Sequence, residues 1–428
     1  MARYHRSLLS VLALALVAAL LSGCSSDNGG SNAGYTPLPP GTTEALPPSA
    51  VVPAGLPQHL GLGLMNNPVQ LDWMASSGIA WDYRYQYLTG GVNTGSGWST
   101  WGYPAGSFVD DYLGESAQNG YIPVFTYYQV VASVPDPGSE DVLPKLRDAS
   151  TMRAYFDDWE SLVRQLGAFG KTVVVHLEPD LWGYLQREDG DAAKVAVLVN
   201  SSGAPSVAGF DDTAAGFAQA LVHLRDIYAP NVLLGFHVSA WATGKDLILN
   251  QADPVETAAE IGAFYRSLGV DFDLLFLDAS DRDAAWYQAQ TGTSRWWGAA
   301  DFERFRSFVA SAVGDMGKRA VIWQVPIGNT LYRSMNNSWG HYQDNRAQYW
   351  LGDRSRMEQL ADAGVVALLF GAGADGCTMY TDEMQDGVTN PSPINGNDAT
   401  AQYADDDGGQ LRLRAAEYYR TGAVGLTP

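Results

Sequence analysis

Eight short apolar runs, each followed by a stretch of helical patterning, alternate along the chain without interruption. The runs are His59–Met65, Ile79–Tyr87, Tyr121–Tyr128, Val173–Leu177, Asn231–His237, Phe272–Asp278, Arg319–Val325 and Val365–Phe370. Helical stretches follow them over about 68–77, 108–118, up to 169, 213–228, 255–268, 302–316, 345–362 and 410–419. The fourth run in particular is apolar without clean alternation, the mark of a strand buried on both faces. Unbroken strand–helix alternation demands a parallel sheet, and eight strands are the number that closes one into a (β/α)8 barrel. A doubly wound open sheet would want a phosphate-binding glycine turn after an early strand. Gly61 and Gly63 fall inside the first strand instead, and Gly371-Ala-Gly-Ala follows the eighth with no strand after it. The expected fold is α/β, a TIM barrel forming a single domain over 56–428, with long βα loops.

Those loops point to one end of the barrel. The segments after the strand ends are long (88–107, 129–140, 181–211, 279–300, 326–344 and 371–409), whereas the returns from helix to strand are short. A barrel that carries a site at its C-terminal face is built this way. Nine of the thirteen tryptophans sit on strand tips or these loops: Trp98, Trp101, Trp182, Trp241, Trp286, Trp296, Trp297, Trp323 and Trp339. Tryptophan is mostly buried in folded proteins, so this placement suits stacking against the C–H faces of sugar rings. The same rings also suit the packing of long loops onto the barrel. Trp182, Trp286 and one of Trp98 or Trp101 are expected to line one carbohydrate groove.

Polar residues at the strand ends supply the chemistry. They are Asp82 and Arg84, Tyr127 and Tyr128, Glu178 and Asp180, His237 and Ser239, Asp278 and Asp281, Gln324 and Asn329, and Asp375. A carboxylate-rich cup with amides and tyrosines suits cleavage of glycosidic bonds by a carboxylate pair. One member must be kept protonated by apolar or like-charged neighbours and the other kept ionised. Side chains alternate along a strand, so Thr172, Val174, His176 and Glu178 share one face. Pro179 ends that strand, leaving Glu178 at its tip. Glu178 is the expected acid and Asp278 the expected nucleophile or base, with Asp180 and Asp281 as substitutes. Substrate contacts are expected from Asp82, Arg84, Tyr127, Tyr128, Trp98, Trp101, Trp182, His237, Trp241, Trp286, Trp323, Gln324, Asn329 and Asp375. The alternative uses are structural: Glu178 satisfied by loop amides or an arginine, and Asp278 capping the loop Ala279-Ser-Asp-Arg.

The Leu177-Glu178-Pro179 ending of the fourth strand resembles the Asn-Glu-Pro ending in the large clan of barrel glycoside hydrolases that includes many cellulases and mannanases. The resemblance implies an acid/base role for Glu178. Leu177 stands where that clan has asparagine, and Trp323-Gln324-Val325-Pro326 holds no glutamate where the clan has its nucleophile. A carboxylate pair on the fourth and sixth strands instead resembles the α-galactosidase type of barrel. Two other functions fit the same residues. A barrel lacking one catalytic carboxylate could persist as a glycan-binding protein, and a metal-dependent hydrolase could use His176, Glu178, His237, Asp278 and Asp375. Barrel amidohydrolases carry His-x-His on the first strand, and His59-Leu-Gly offers one histidine, so no metal and no other cofactor is expected. Ser239 lacks the Gly-x-Ser-x-Gly elbow of a serine hydrolase.

The N-terminus places the protein. Arg3, His5 and Arg6 precede an apolar run from Leu8 to Leu21, and Leu21-Ser22-Gly23-Cys24 resembles the lipobox of bacterial lipoproteins. That implies a signal peptide over 1–23, acylation of Cys24 and export to the bacterial cell envelope (the outer membrane in a Gram-negative organism). Residues 24–55 are rich in Gly, Ser, Pro and Thr and read as a flexible tether, on the order of 30 Å long root-mean-square. With 26 Lys and Arg against 47 Asp and Glu, the chain carries a net charge of −21. So acidic a protein is a poor partner for nucleic acid or an anionic membrane surface, and the lipid is its expected contact with the membrane. Apart from Cys24 the only cysteine is Cys377, which excludes an intrachain disulfide in the domain. The expected partner is a polysaccharide or oligosaccharide, bound by a monomer.

Overall fold

The computed structural model describes residues 50–371 and 373–427. The expected leader over 1–23, Cys24 and the part of the expected 24–55 tether up to residue 49 lie outside them. Eight parallel strands close into a ring in chain order: β1 (Gly61–Met65), β2 (Tyr83–Leu88), β3 (Ile122–Tyr127), β4 (Val173–Leu177), β5 (Val232–His237), β6 (Leu274–Asp278), β7 (Arg319–Val325) and β8 (Val365–Phe370). Pairing of β8 with β1, from Gly61 opposite Ala367 to Leu64 opposite Phe370, shuts the ring. The helices are α1 (Leu71–Ser76), α2 (Ser107–Asn119), α3 (Leu143–Leu146), α4 (Ala149–Phe169), α5 (Leu181–Glu188), α6 (Ala214–Tyr228), α7 (Pro254–Ser267), α8 (Ala284–Thr291), α9 (Ala299–Met316), α10 (Arg346–Leu351), α11 (Arg354–Asp362) and α12 (Gln410–Arg420). The fold is the TIM barrel that the alternation predicts.

The differences are local. One helix expected over 345–362 is two, because Asp353 turns out of helical geometry and caps α11 through the Ser355 amide at 2.9 Å. Short helices α5 and α8 lie within the long loops, and α3 follows the loop over 129–140. At the start of α6 the cap is Thr213, which accepts from the Gly216 amide at 3.0 Å. Asp212, expected to cap it, instead holds the amides of Val199 and Ser201.

Aromatic rings fill the barrel. Tyr83, Tyr85 and Tyr87 share one face of β2 by strand alternation. The Tyr87 ring lies 5.8 Å from Trp323 of β7, and Trp323 lies 4.7 Å from His176 of β4. None of these strands are neighbours, so the contacts cross the interior. Phe276 of β6 stacks on His176 at 4.1 Å and 10°. Glycines on adjacent strands make the room. A Cβ at Gly61 would lie 2.6 Å from the Tyr83 ring, and one at Gly235 would lie 2.4 Å from the Phe276 ring. These glycines serve packing.

The N-terminal end of the barrel is sealed by both ends of the described chain. Arg319, fully buried at the start of β7, donates through Nε to the Ala50 carbonyl at 2.6 Å and through Nη2 to the Thr427 carbonyl. The Leu60 amide donates to the Val424 carbonyl at 2.8 Å, and the Leu426 amide to the Gln58 carbonyl at 2.9 Å. Asp82 belongs here. It precedes β2 rather than ending it, accepts from the Leu62 amide and the Tyr419 hydroxyl, and meets His59 Nε2 at 3.0 Å. The expectation that Asp82 contacts substrate is therefore corrected: it lies at the opposite end of the barrel from the long loops.

Replacing Gly235 by alanine should drive a methyl into the Phe276 ring, which is already pinned by His176. Overpacking of this kind costs about 1–3 kcal/mol, and urea denaturation should show it as a lower midpoint with an unchanged slope.

Candidate active site at the barrel mouth

At the C-terminal end the chain leaves β4 through a strained turn. Glu178 has φ +43° and Asp180 φ +69°, values rare for residues with a side chain. Extending strand alternation past Leu177 would point Glu178 at the axis beside His176. The positive φ breaks that alternation. Glu178 is fully buried and turned toward β3 and α4, where its carboxylate accepts from the Gln129 amide at 3.1 Å and the Val130 amide at 3.3 Å. Burial pushes its carboxyl up to about 8, against the pull of those amides and of the Tyr155 hydroxyl beside it. Glu178 thus ties two loops together from behind the barrel wall, which corrects its placement as the acid of the site.

The turn presents Asp180 instead. Its carboxylate is partly exposed and lies 3.5 Å from the Tyr128 hydroxyl. Burial raises its pKa, and after the opposing pull of His237 the charges of Asp278 and Glu140 raise it further. Asp278 ends β6 on the same face as Phe276, with its side chain 40 % exposed. Burial disfavours its charge too, but His237 outweighs that: Nε2 stands 3.5 Å from Oδ1 and holds the carboxyl below its ordinary value, with Arg346 adding a smaller pull. Two aspartates at one mouth are thus pushed in opposite directions, and each is near enough to respond to His237.

The floor beneath them is aromatic and amide. Gln324, also at positive φ (+54°), donates from Nε2 to the Tyr87 hydroxyl. The Trp323 ring closes over His176 and His237, and its indole N–H has no partner among the described residues. On the rim Trp241 packs on Tyr184 at 5.0 Å, and Trp286 meets Tyr287 at 5.4 Å with the Arg282 guanidinium 4.8 Å from its ring. Trp101, on the β2 loop, is partly exposed, with its N–H bound to the Ser96 carbonyl.

Other expected site residues face elsewhere. Trp98 is fully buried and donates to Asp158 at 2.8 Å. Trp182 is 1 % exposed and packs among Phe217, Phe236 and Phe272 in the helix layer. The shared groove expected for Trp182, Trp286 and one of Trp98 or Trp101 is thus corrected at Trp182 and Trp98, whose rings anchor loops. Tyr127 points outward to Asp158 at 2.7 Å, one residue out of phase with Tyr128. Arg84 is outward for the same reason, bound to Asn66 and Glu115 beneath the Tyr112 ring. Asn329 is fully buried and holds the loop amides of Leu331 and Tyr332 and the Asp407 carbonyl. Asp281 is engaged by Arg282 and the Tyr287 hydroxyl, and Asp375 is exposed on the β8 loop. The five residues weighed for a metal do not converge. His176 and His237 face each other, Glu178 is turned away, and no group of three potential ligands stands together among the described residues. Tyr87 was missed as a site residue, although the Tyr83-x-Tyr85-x-Tyr87 alternation already placed one tyrosine at a strand tip, and His176 was weighed as a metal ligand alone.

No family model matches the chain, and no curated protein sequence matches it. Among solved structures it is similar to an exo-β-1,4-mannosidase, Op5Man5, from Opitutaceae bacterium strain TAV5, with 12% identity and a TM-score of 0.48 over 84% of this chain. It spans 60% of that enzyme's length. It is also similar to Thermotoga maritima Cel5A, described in complex with cellobiose, with 8% identity and a TM-score of 0.47, covering 84% of this chain and 98% of that one. A family 1 β-glucosidase from Thermotoga maritima aligns at 8% identity and a TM-score of 0.47, covering 83% and 86%.

The buried carboxyl of Glu178 gives a test. Its pKa in the fold, about 8, lies above the 4.5 of an ordinary glutamate, so folding takes up a proton between those values. The stability it contributes is complete below about pH 4.5 and is lost as pH rises through about 8. Urea denaturation from pH 5 to 8 should therefore show wild type losing stability more steeply than Glu178→Gln.

Proposed function

We propose that the barrel mouth hydrolyses glycosidic bonds in a poly- or oligosaccharide, with Asp180 as the acid and Asp278 as the nucleophile or base. The observation that carries this is a pair of carboxyls at one mouth, Asp278 3.5 Å from His237 and Asp180 3.5 Å from the Tyr128 hydroxyl, whose surroundings push them in opposite directions. Glycosidic cleavage needs one carboxyl protonated to release the leaving oxygen and one ionised to meet the positive charge at the anomeric carbon. Asp180, enclosed and faced by like charge, suits the first task; Asp278, next to His237, suits the second. Tyr128 and Tyr87 stand within reach of sugar hydroxyls. The rim pairs Tyr184–Trp241 and Trp286–Tyr287 offer aromatic faces for neighbouring rings.

The pair has a distinct kinetic signature. Incubation with a polysaccharide panel, read for new reducing ends, should show turnover, and Asp278→Asn should lower it by at least ~100-fold whatever the leaving group. Asp180→Asn should lose as much on natural glycans and recover on aryl glycosides, whose leaving group needs no proton. Activity should fall in acid as Asp278 takes up a proton and in base as Asp180 loses one, and Asp180→Asn should abolish the alkaline limb. Glycan binding with no turnover in wild type would make the protein a glycan-binding barrel.

Export and anchoring belong to the same proposal. Among the described residues no helix is long and apolar enough to cross a membrane. Cys24, outside them, is the proposed acylation site. Cells fed labelled palmitate should label the wild-type protein and leave Cys24→Ser unlabelled.

A further inference from the structure

Behind Asp278 a file of side chains runs down the barrel axis. His237 Nε2 approaches Asp278 Oδ1 at 3.5 Å, His237 Nδ1 meets His176 Nε2 at 3.0 Å, and His176 Nδ1 meets Thr126 Oγ1 at 3.5 Å. His176 and Thr126 are fully buried and His237 is 2 % exposed, so both nitrogens of His176 are shut off from solvent. The rings cannot turn freely. His176 is stacked on Phe276 at 4.1 Å and held edge-on by Trp323 at 4.7 Å, and Trp323 also meets His237 at 5.8 Å.

We infer that His176, beyond the reach of substrate, is a positioning residue: it holds His237 in the tautomer that aims its Nε2 proton at Asp278. This rests on Asp278 being the ionised carboxylate of the proposed reaction. The 3.0 Å contact between the imidazoles has room for one proton. In a neutral His237, a proton on Nδ1 would leave the bare Nε2 facing an ionised Asp278, lone pair against anion. If it sits on His176 Nε2, all three contacts are satisfied together. The Thr126 hydroxyl donates to His176 Nδ1, His176 Nε2–H donates to His237 Nδ1, and His237 Nε2–H points at Asp278. Burial, and after it the neighbouring His237, keeps His176 well below its ordinary pKa, so it has one proton to place.

The test uses the full chain labelled with 15N-histidine at pH 7.5. The chain has six histidines, so single substitutions assign every ring. Two-bond 15N–1H correlation spectra should show His237 protonated at Nε2 and bare at Nδ1 in wild type. Finding the proton on His237 Nδ1 there overturns the inference without any variant. His176→Gln, whose amide can replace the Nε2 donor, should keep that pattern, whereas His176→Phe should average the two tautomers of His237. An unchanged His237 pattern in His176→Phe would make His176 a space-filling ring and overturn the inference. On 2,4-dinitrophenyl glycosides of glucose, mannose, galactose and xylose, His176→Phe should lower kcat by about 10–100-fold, the scale of outer partners of a reacting group, with KM unchanged. His176→Gln should recover most of that loss; equal losses in both variants would overturn the inference. If wild type turns over no glycoside, the proposed hydrolysis fails, and the wild-type tautomer still decides the role of His176.

Discussion

An eight-stranded barrel encloses a space that side chains have to fill completely, and here flat rings do so. Tyr83, Tyr85, Tyr87, His176, Phe276 and Trp323 are too large to stand level with one another on adjacent strands. Gly61, Gly63 and Gly235 stand beside them, and a Cβ at any of the three would collide with a ring or with β-strand atoms of Tyr83. The choice of rings over aliphatic chains has a chemical result. Imidazole and indole carry hydrogen-bonding atoms into the core, so the packing that closes the barrel also builds the path from Thr126 to Asp278.

The same economy governs what the chain disclosed before it was folded. Strand–helix alternation and loop asymmetry are periodic signals spread over hundreds of residues, and they carried the barrel and the end that bears its loops. The site turned on single dihedral angles. Through Leu177 the alternation of β4 held, and His176 faces inward as expected. At Glu178 one positive φ reversed it, sending the glutamate behind the wall and leaving the mouth to Asp180. Nothing in Leu-Glu-Pro-Asp announces which of two carboxylates a strained turn will expose. Phase errors of one residue had the same effect at Tyr127 and Arg84, since a side chain one place along a strand belongs to the other face. Trp98 and Trp182 misled for a different reason: a loop tryptophan can serve as an anchor as readily as a platform, and burial distinguishes the two.

Electrostatics at the mouth depends on unequal company. Asp180 and Asp278 share His237, yet Asp180 also faces Glu140 and lies deeper, whereas Asp278 has the nearer imidazole and the Arg346 charge behind it. A chain this acidic has few cations to spare, and neutral donors do much of the work that lysine or arginine would do elsewhere. The amides of Gln129 and Val130 on Glu178 are one case, and those of Thr378 and Gly328 on the buried Asp283 another.

Both ends of the described chain meet at Arg319, on the closed side of the barrel. The peptide leaving Ala50 therefore starts from the face opposite the one that carries Asp180 and Asp278. A support or reporter joined directly at Ala50 would be attached on the closed side of the barrel. Ala50 and Thr427 are near enough in space that the chain could be re-joined there and opened in a loop instead.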